Sequence, residues 1–311
     1  MAQVTLKTGF DVDYHLDQVG VDYHLTAGGE PPGRWMGRGA AKLGLSGRVG
    51  GTSAEGKANA KAMRGLYHYD VTPDGTRLST SQRRHRYPDK SAQLAAAQER
   101  IDAKVAALGR FATPEKVRDI EIEERAKVRS QTPFIDLVVS FEKSISLLQV
   151  GFRAAAKRAK DEGRAGEAER YEAQAEQIEA AAEETASELV AWMEQHAAYV
   201  RTGHHSATSG EWRDADGLMV VGFPQHTNRD GEPNLHVHLE ILNRAQGADG
   251  ADEKWRALDG KPFWADRLYL AAVATRIMAR KVTEKLGVIL VKQEDGNGFD
   301  IGGVEPGTMA A

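Results

Sequence analysis

Cysteine is absent from all 311 residues. That excludes disulfides, thiolate metal sites and cysteine nucleophiles, so any metal must sit on His, Asp, Glu or backbone oxygen. It also agrees with a reducing compartment. No window offers the roughly 20 consecutive apolar residues of a membrane span. Met1 to Phe10 lack the basic-then-apolar layout of a signal peptide. A cytoplasmic protein without membrane insertion is the expectation. Two catalytic signatures are also missing: a helical His-Glu-x-x-His, and a Gly-rich loop ending in Gly-Lys-Ser/Thr. Nor is there an excess of positive charge, since the formal net charge is −4.

The charge is unevenly spread. Residues 31–90 hold 12 Lys and Arg against 4 Asp and Glu, whereas residues 151–200 hold 6 against 11. A basic face can steer a phosphate backbone while the whole chain stays acidic. Val4–Lys7 reads as a short strand, and Pro31, Pro32 and a run of glycines make 33–52 turn-rich. Tyr67–Ser79 reads as two short extended pieces about a Pro73-Asp74-Gly75 turn, followed by a basic loop, Gln82–Lys90. Helices are predicted over Lys90–Arg110 and Lys116–Lys127. Phe134–Phe141 is the clearest strand, and a helix starts at Glu142 and runs past Arg153. Residues 151–200 form a helical hairpin, polar on its outer face, that breaks near Gly163 and Gly166. Gly217–Phe223 and Leu235–Asn243 are strands joined by a polar turn. A helix over Ala265–Leu286 stops at Gly287, and a hairpin about Asp295-Gly296 closes the chain. Long helices with strands that do not alternate with them regularly imply an α+β fold.

His236 and His238 flank one residue in a predicted strand, so both rings point to one face. His226 ends the preceding strand. If the strands pair, three imidazoles can converge on a divalent ion with open positions. Asp136 is a carboxylate in the apolar run Ile135-Asp136-Leu137. Such a group needs a partner. It either orients a His ligand, acts as a base near the nucleophile, or bonds nearby backbone at a strand start. Tyr14 and Tyr23 sit in a short local duplication, Asp13-Tyr14-His15 and Asp22-Tyr23-His24. A phenol, with a pKa near ~10, is a poor nucleophile until a metal or base assists it. Packing of an N-terminal segment is the alternative role.

Four motifs stand in order along the chain. The tyrosine pair is followed by Pro32-Gly33-Arg34-Trp35-Met36-Gly37-Arg38-Gly39, then Asp136 to Ser146, then His226-Thr227-Asn228-Arg229 with Pro233-Asn234-Leu235-His236-Val237-His238 and Asn243. Together they resemble the relaxase domain of the MobF family of conjugative plasmids and integrative elements, from about Tyr14 to Ile301. The resemblance implies an antiparallel-sheet palm carrying a three-His metal site of His226, His236 and His238, flanked by helices that include the polar hairpin. It implies one relaxase domain over 1–311 (core about 1–301), with a helical insertion at about 150–200. The helicase region that usually follows in the family is absent from this chain, and Pro306-Gly307-Thr308-Met309 is a candidate boundary.

The implied activity is a site- and strand-specific DNA endonuclease and transesterase. A tyrosine attacks phosphorus at a transfer origin with help from a divalent ion, Mg²⁺ or Mn²⁺, leaving a 5′-phosphotyrosine and a free 3′-hydroxyl that can be rejoined. Tyr14 is the first nucleophile by position, and Tyr23 serves either a second transfer or a contact with DNA. Where the family often has Tyr-Tyr pairs this chain has Tyr-His, and Glu142 replaces the usual Pro. Arg34, Trp35, Arg38, Lys143 and Arg229 are candidate DNA contacts, with Tyr67, Tyr69 and Tyr87 as further stacking surfaces; core packing is the equal alternative for Trp35, and a surface charge for Lys143 and Arg229. The implied partners are origin hairpin and single-stranded DNA, relaxosome accessory proteins and a type IV secretion coupling protein. A rolling-circle replication initiator shares the chemistry. A non-catalytic DNA-binding module and a zinc hydrolase remain as other classes.

Overall fold

The computed structural model describes residues 1–9, 11–19, 30–78, 90–128, 132–202, 210–248, 254–294 and 296–304. Tyr23, Tyr87, most of the basic loop and Asp295 lie outside the described residues. The chain divides into two compact units, Ser79–Thr132 and the remainder. The first half of the larger unit runs β1 (Gln3–Gly9), α1 (Asp13–Gln18), β2 (Gly33–Met36), α2 (Arg38–Lys42), β3 (Arg48–Val49) and α3 (Ala54–Tyr69). The small unit is a helix pair, α4 (Lys90–Leu108) and α5 (Pro114–Ala126), in which Glu124 is gripped by Arg100, Lys104 and Lys127. The larger unit resumes with β4 (Phe134–Ser140), α6 (Lys143–Asp161), α7 (Ala165–His196), β5 (Tyr199–Thr202), β6 (Glu211–Asp214), β7 (Val220–Thr227) and β8 (Pro233–Leu242). It ends with α8 (Lys261–Ala265), α9 (Arg267–Leu286), β9 (Leu290–Lys292) and β10 (Phe299–Ile301).

Six strands form one antiparallel sheet in the order β1-β4-β8-β7-β2-β3, so the expected α+β palm is present. Alternation sorts its side chains onto two faces. Ile135, Leu137 and Val139 of β4 share a core with Leu235, Val237, Leu239 and Ile241 of β8, and α6, α7 and α9 cover them. The predicted hairpin is α6 and α7, with Gly163 turning at φ 74° between them. Residues Ile178, Ala181, Ala182, Thr185, Ala186, Leu189 and Met193 are buried on α7 at three- and four-residue spacing, the stripe that lets a helix lie on a sheet. The opposite face packs Trp35, Phe134, Val221, Phe223 and Leu242 against Val12 and Leu16 beside α1 and against Met63, Leu66 and Tyr67 of α3.

Three local readings change. Tyr67 and Tyr69 end a 16-residue helix instead of starting an extended piece. Ser53 caps that helix by accepting from the Gly56 amide, and Ala60, Met63, Leu66 and Tyr67 give it a buried stripe. The turn at Pro73-Asp74-Gly75 does form, with Thr72 donating to the Thr76 carbonyl across it at 2.9 Å. The region 33–52, read as turns, contains β2, α2 and β3. Its glycines are needed for close approach: a Cβ on Gly37, at φ 91°, would fall 2.3 Å from the Leu218 carbonyl oxygen. Finally, β5 and β6 form a small separate ribbon that the sequence pattern did not announce.

Replacing Gly37 with Ala adds a backbone strain and a clash at once, and should cost about 3 kcal/mol. Gly44→Ala, at φ 69° with open space around it, should cost only about 1 kcal/mol. Urea unfolding of the two variants checks the difference; equal losses would show that the contact with Leu218 is immaterial.

Candidate active site

The site grows from the period of the central strand. His236, His238 and Glu240 alternate along β8 and lie on the face that α1 covers. Directly opposite them stand Gln225 and Phe223 of β7, and Ser140, Val138 and Asp136 of β4. On the far side of β4, Lys7 of β1 pairs with Asp136. The helix α1 is short, but three anchors fix it. Leu16 is buried in the core, Asp13 bonds Arg64 of α3 at 2.5 Å, and His15 Nδ1 lies 2.6 Å from Glu240 Oε1. The result is a cavity of about 550 Å³ lined by Lys7, Asp11, Tyr14, His15, Asp136, Gln225, Thr227, Asn228, Arg229, Asn234, His236, His238 and Glu240.

Hydrogen bonds set the roles of the rings. His238 Nδ1 donates to Asp136, at 2.9 and 3.1 Å from its two oxygens, and Lys7 Nζ lies 3.0 Å from the same carboxylate. Burial pushes the Asp136 carboxyl up, but His238 and Lys7 outweigh it and leave it below the usual range. His236 Nδ1 donates to the Asn234 carbonyl at 2.8 Å. With both Nδ1 atoms satisfied by oxygen, the lone pair of each Nε2 is left for another partner, as in imidazoles that ligate metals. Burial keeps both rings neutral: it depresses His236 to about 4 and lowers His238 despite the opposing pull of Asp136. Neutral, oriented imidazoles are a donor set that suits a divalent cation. Burial likewise lowers His15 to about 4 and raises Glu240 well above the carboxylate range, with Asp136 and Asp11 adding to the rise.

The structure does not bring His226 to this pair. Residues of β7 that face the cavity are Phe223 and Gln225, because Gln225 is the partner of His236. The pairing with β8 then shifts register between Gln225 and Thr227, and the His226 ring stands toward α7, where it meets Glu179. Its Nδ1 donates to Glu30 at 2.9 Å and its Nε2 to Glu179 at 3.1 Å. Burial would lower its pKa, but Glu179 and Glu30 raise it to about 9. Among the described residues no three His, Asp or Glu side chains stand as a closed ligand set.

Of the expected nucleophiles, Tyr14 lines the cavity with half its surface exposed, its ring edge-on to His15 at 4.9 Å. Arg229 lines the cavity too and meets no carboxylate among the described residues. Arg34 faces Glu183, Arg38 is held by Glu194, and Lys143 lies 3.7 Å from Glu232. Trp35 is only 5 % exposed and packs near Tyr67, so it offers no open ring to a base. Tyr67 is fully buried and donates to the Glu240 carbonyl at 2.7 Å; Tyr69 alone of the two is exposed. The sequence reading missed Lys7, His15 and Glu240 as parts of the site. Glu240 was within reach, since it continues the two-residue period of His236 and His238.

The TrwC relaxase family profile matches residues 9–311. No functionally curated protein matches the chain in sequence. Among solved structures, the fold is similar to conjugative relaxase TrwC in complex with OriT DNA in a metal-free form (20% identity, covering 100% of this chain and 78% of that one, TM-score 0.62). It is also similar to TrwC with a 27-mer DNA comprising the recognition hairpin and cleavage site (21% identity, 100% and 78%, TM-score 0.60), and to a copper-bound TrwC–OriT structure (20% identity, 100% and 78%, TM-score 0.60).

The His226 pair carries a pH signature. Its folded pKa is raised above an unfolded value near 6.5, so its stabilisation is complete below about pH 6.5 and is lost as pH rises through about 9. Unfolding free energy should fall across that window by the order of 2 kcal/mol in the native chain and much less in His226→Asn. Denaturant titrations at pH 6.5 and 9.5 test it; identical slopes in both proteins would refute the ion pair.

Proposed function

Since the match over residues 9–311 shows that the chain belongs to the TrwC relaxase family, we propose that it nicks one DNA strand at a transfer origin through a tyrosine ester. The observation that carries this reading is the placement of Tyr14 in one cavity with His236, His238 and Asp136. Tyr14 is exposed enough to meet a phosphodiester, while the two imidazoles behind it are buried and held in one orientation. Its phenolic oxygen forms the new bond to phosphorus as the bond to the 3′ oxygen breaks. The phenol loses a proton and the 3′ oxygen gains one, so the balance is closed. One phosphodiester replaces another, and the strand can be rejoined.

His236 and His238 would hold a divalent ion, Mg²⁺ or Mn²⁺, whose contribution is to polarise the scissile phosphate. Asp136 fixes the His238 ring by accepting from Nδ1, and Lys7 keeps Asp136 ionised by its charge. Asp136 therefore serves the ring, not the phenol. Arg229 is placed to neutralise a phosphate at the cavity, and the exposed Arg34 and Arg38 to meet the DNA backbone. Tyr23 keeps the role of a second nucleophile.

The test is a labelled single strand spanning the origin of the element that encodes the protein, incubated with Mg²⁺ or Mn²⁺ and run on a denaturing gel. Tyr14→Phe should abolish the covalent protein–DNA band, and Asp136→Asn should slow its formation roughly 10–100-fold. Loss in Tyr23→Phe alone would reassign the nucleophile. Tight binding with no cleavage in any metal would leave a DNA-binding module and remove the enzyme.

A further inference from the structure

The cavity contains two buried polar atoms with no partner, His15 Nε2 and Glu240 Oε2. They belong to one hydrogen-bonded pair, and His15 is 3 % exposed. Leaving such atoms unsatisfied is costly, and in a native site it points to a water or ion that completes them. The surroundings identify which. The His15 ring lies with its centroid 4.1 Å from that of His238, which is itself 5.1 Å from that of His236. Phe223 stacks on the other side of His15 at 5.3 Å and limits where the ring can go. His15 also repeats the pattern of the other two rings: its Nδ1 is taken by an oxygen, here Glu240, and its Nε2 is left over. An Nδ1–H bonded to an oxygen acceptor is the arrangement that orients a ligating imidazole.

The three rings do not yet converge on one point; we propose that on binding His15 supplies the third imidazole of a divalent-cation site with His236 and His238, in the place that the sequence gives to His226. The claim rests on the reading that His236 and His238 hold a cation. His226 would have to give up both Glu30 and Glu179 and cross to the other face of the sheet, whereas His15 already stands in the cavity with a free nitrogen. The consequence is mechanical. Ligand and nucleophile are then consecutive residues, His15 and Tyr14, so loading the ion fixes the helical turn that presents the phenol.

Metal binding, not activity, tests this. Mn²⁺ binding is measured by calorimetry, and the bound nitrogens are counted by electron spin echo spectroscopy. Asn at position 15 keeps a group near Nδ1 to bond Glu240 while deleting Nε2. The expected result is that His15→Asn and His236→Asn each weaken Mn²⁺ at least tenfold, while His226→Asn stays within twofold of the native chain and still shows three imidazole nitrogens. Should His15→Asn not fold, the nitrogen count in His226→Asn decides: three supports His15, two overturns it. Native affinity in His15→Asn with loss in His236→Asn overturns the inference but keeps the site. No Mn²⁺ binding by the native chain overturns both.

Discussion

The structure depends on one conflict: β8 lies in the middle of the sheet with both faces covered, yet one of those faces carries His236, His238 and Glu240. A buried ionisable group is tolerated only when it is neutral or paired. Each of the three is dealt with differently. His238 is held by an ionised Asp136, His236 by a main-chain carbonyl, and Glu240 by His15. The supporting partners come from β4, from β8 itself and from α1, so the packing order of the sheet is also the wiring of the site.

That wiring explains why the apolar cores flank the cavity instead of filling it. The helical side of the sheet is largely apolar, with α7 lying along it through small and aliphatic residues and the His226 pairings at one end. The other side is apolar only toward α3, where Tyr67, Met63 and Phe134 pack. A rigid sheet backed by a long helix is a suitable base for groups that must hold their geometry to fractions of an ångström. Lys7 adds a charge beside the Asp136 carboxylate and keeps it from competing for protons with the rings around it.

Much of this was legible in the sequence, and the failures have physical reasons. The run around Asp136, the His-x-His pair and the polar hairpin were readable because period two and period 3.6 leave direct marks. His226 was misplaced because facing depends on which residue of one strand meets which of the next. Gln225 pairs with His236 and the register then shifts before Thr227, and no single strand contains that information. Trp35 stood open between a surface for bases and the core; its burial comes from α3, a helix whose glycine and basic residues disguised it. His15 was seen as half of a Tyr-His pair, but its partner is 225 residues away, beyond any local pattern.

One contact outside the cavity has a wider meaning. His226 grips Glu30 and Glu179, residues 196 and 47 positions away, and so ties the early chain, the sheet and the hairpin at a single ring. Closing segments of that length is what a disulfide does for a secreted domain. In a chain without cysteine the staple is an imidazolium, fastened by a proton and unfastened by its loss.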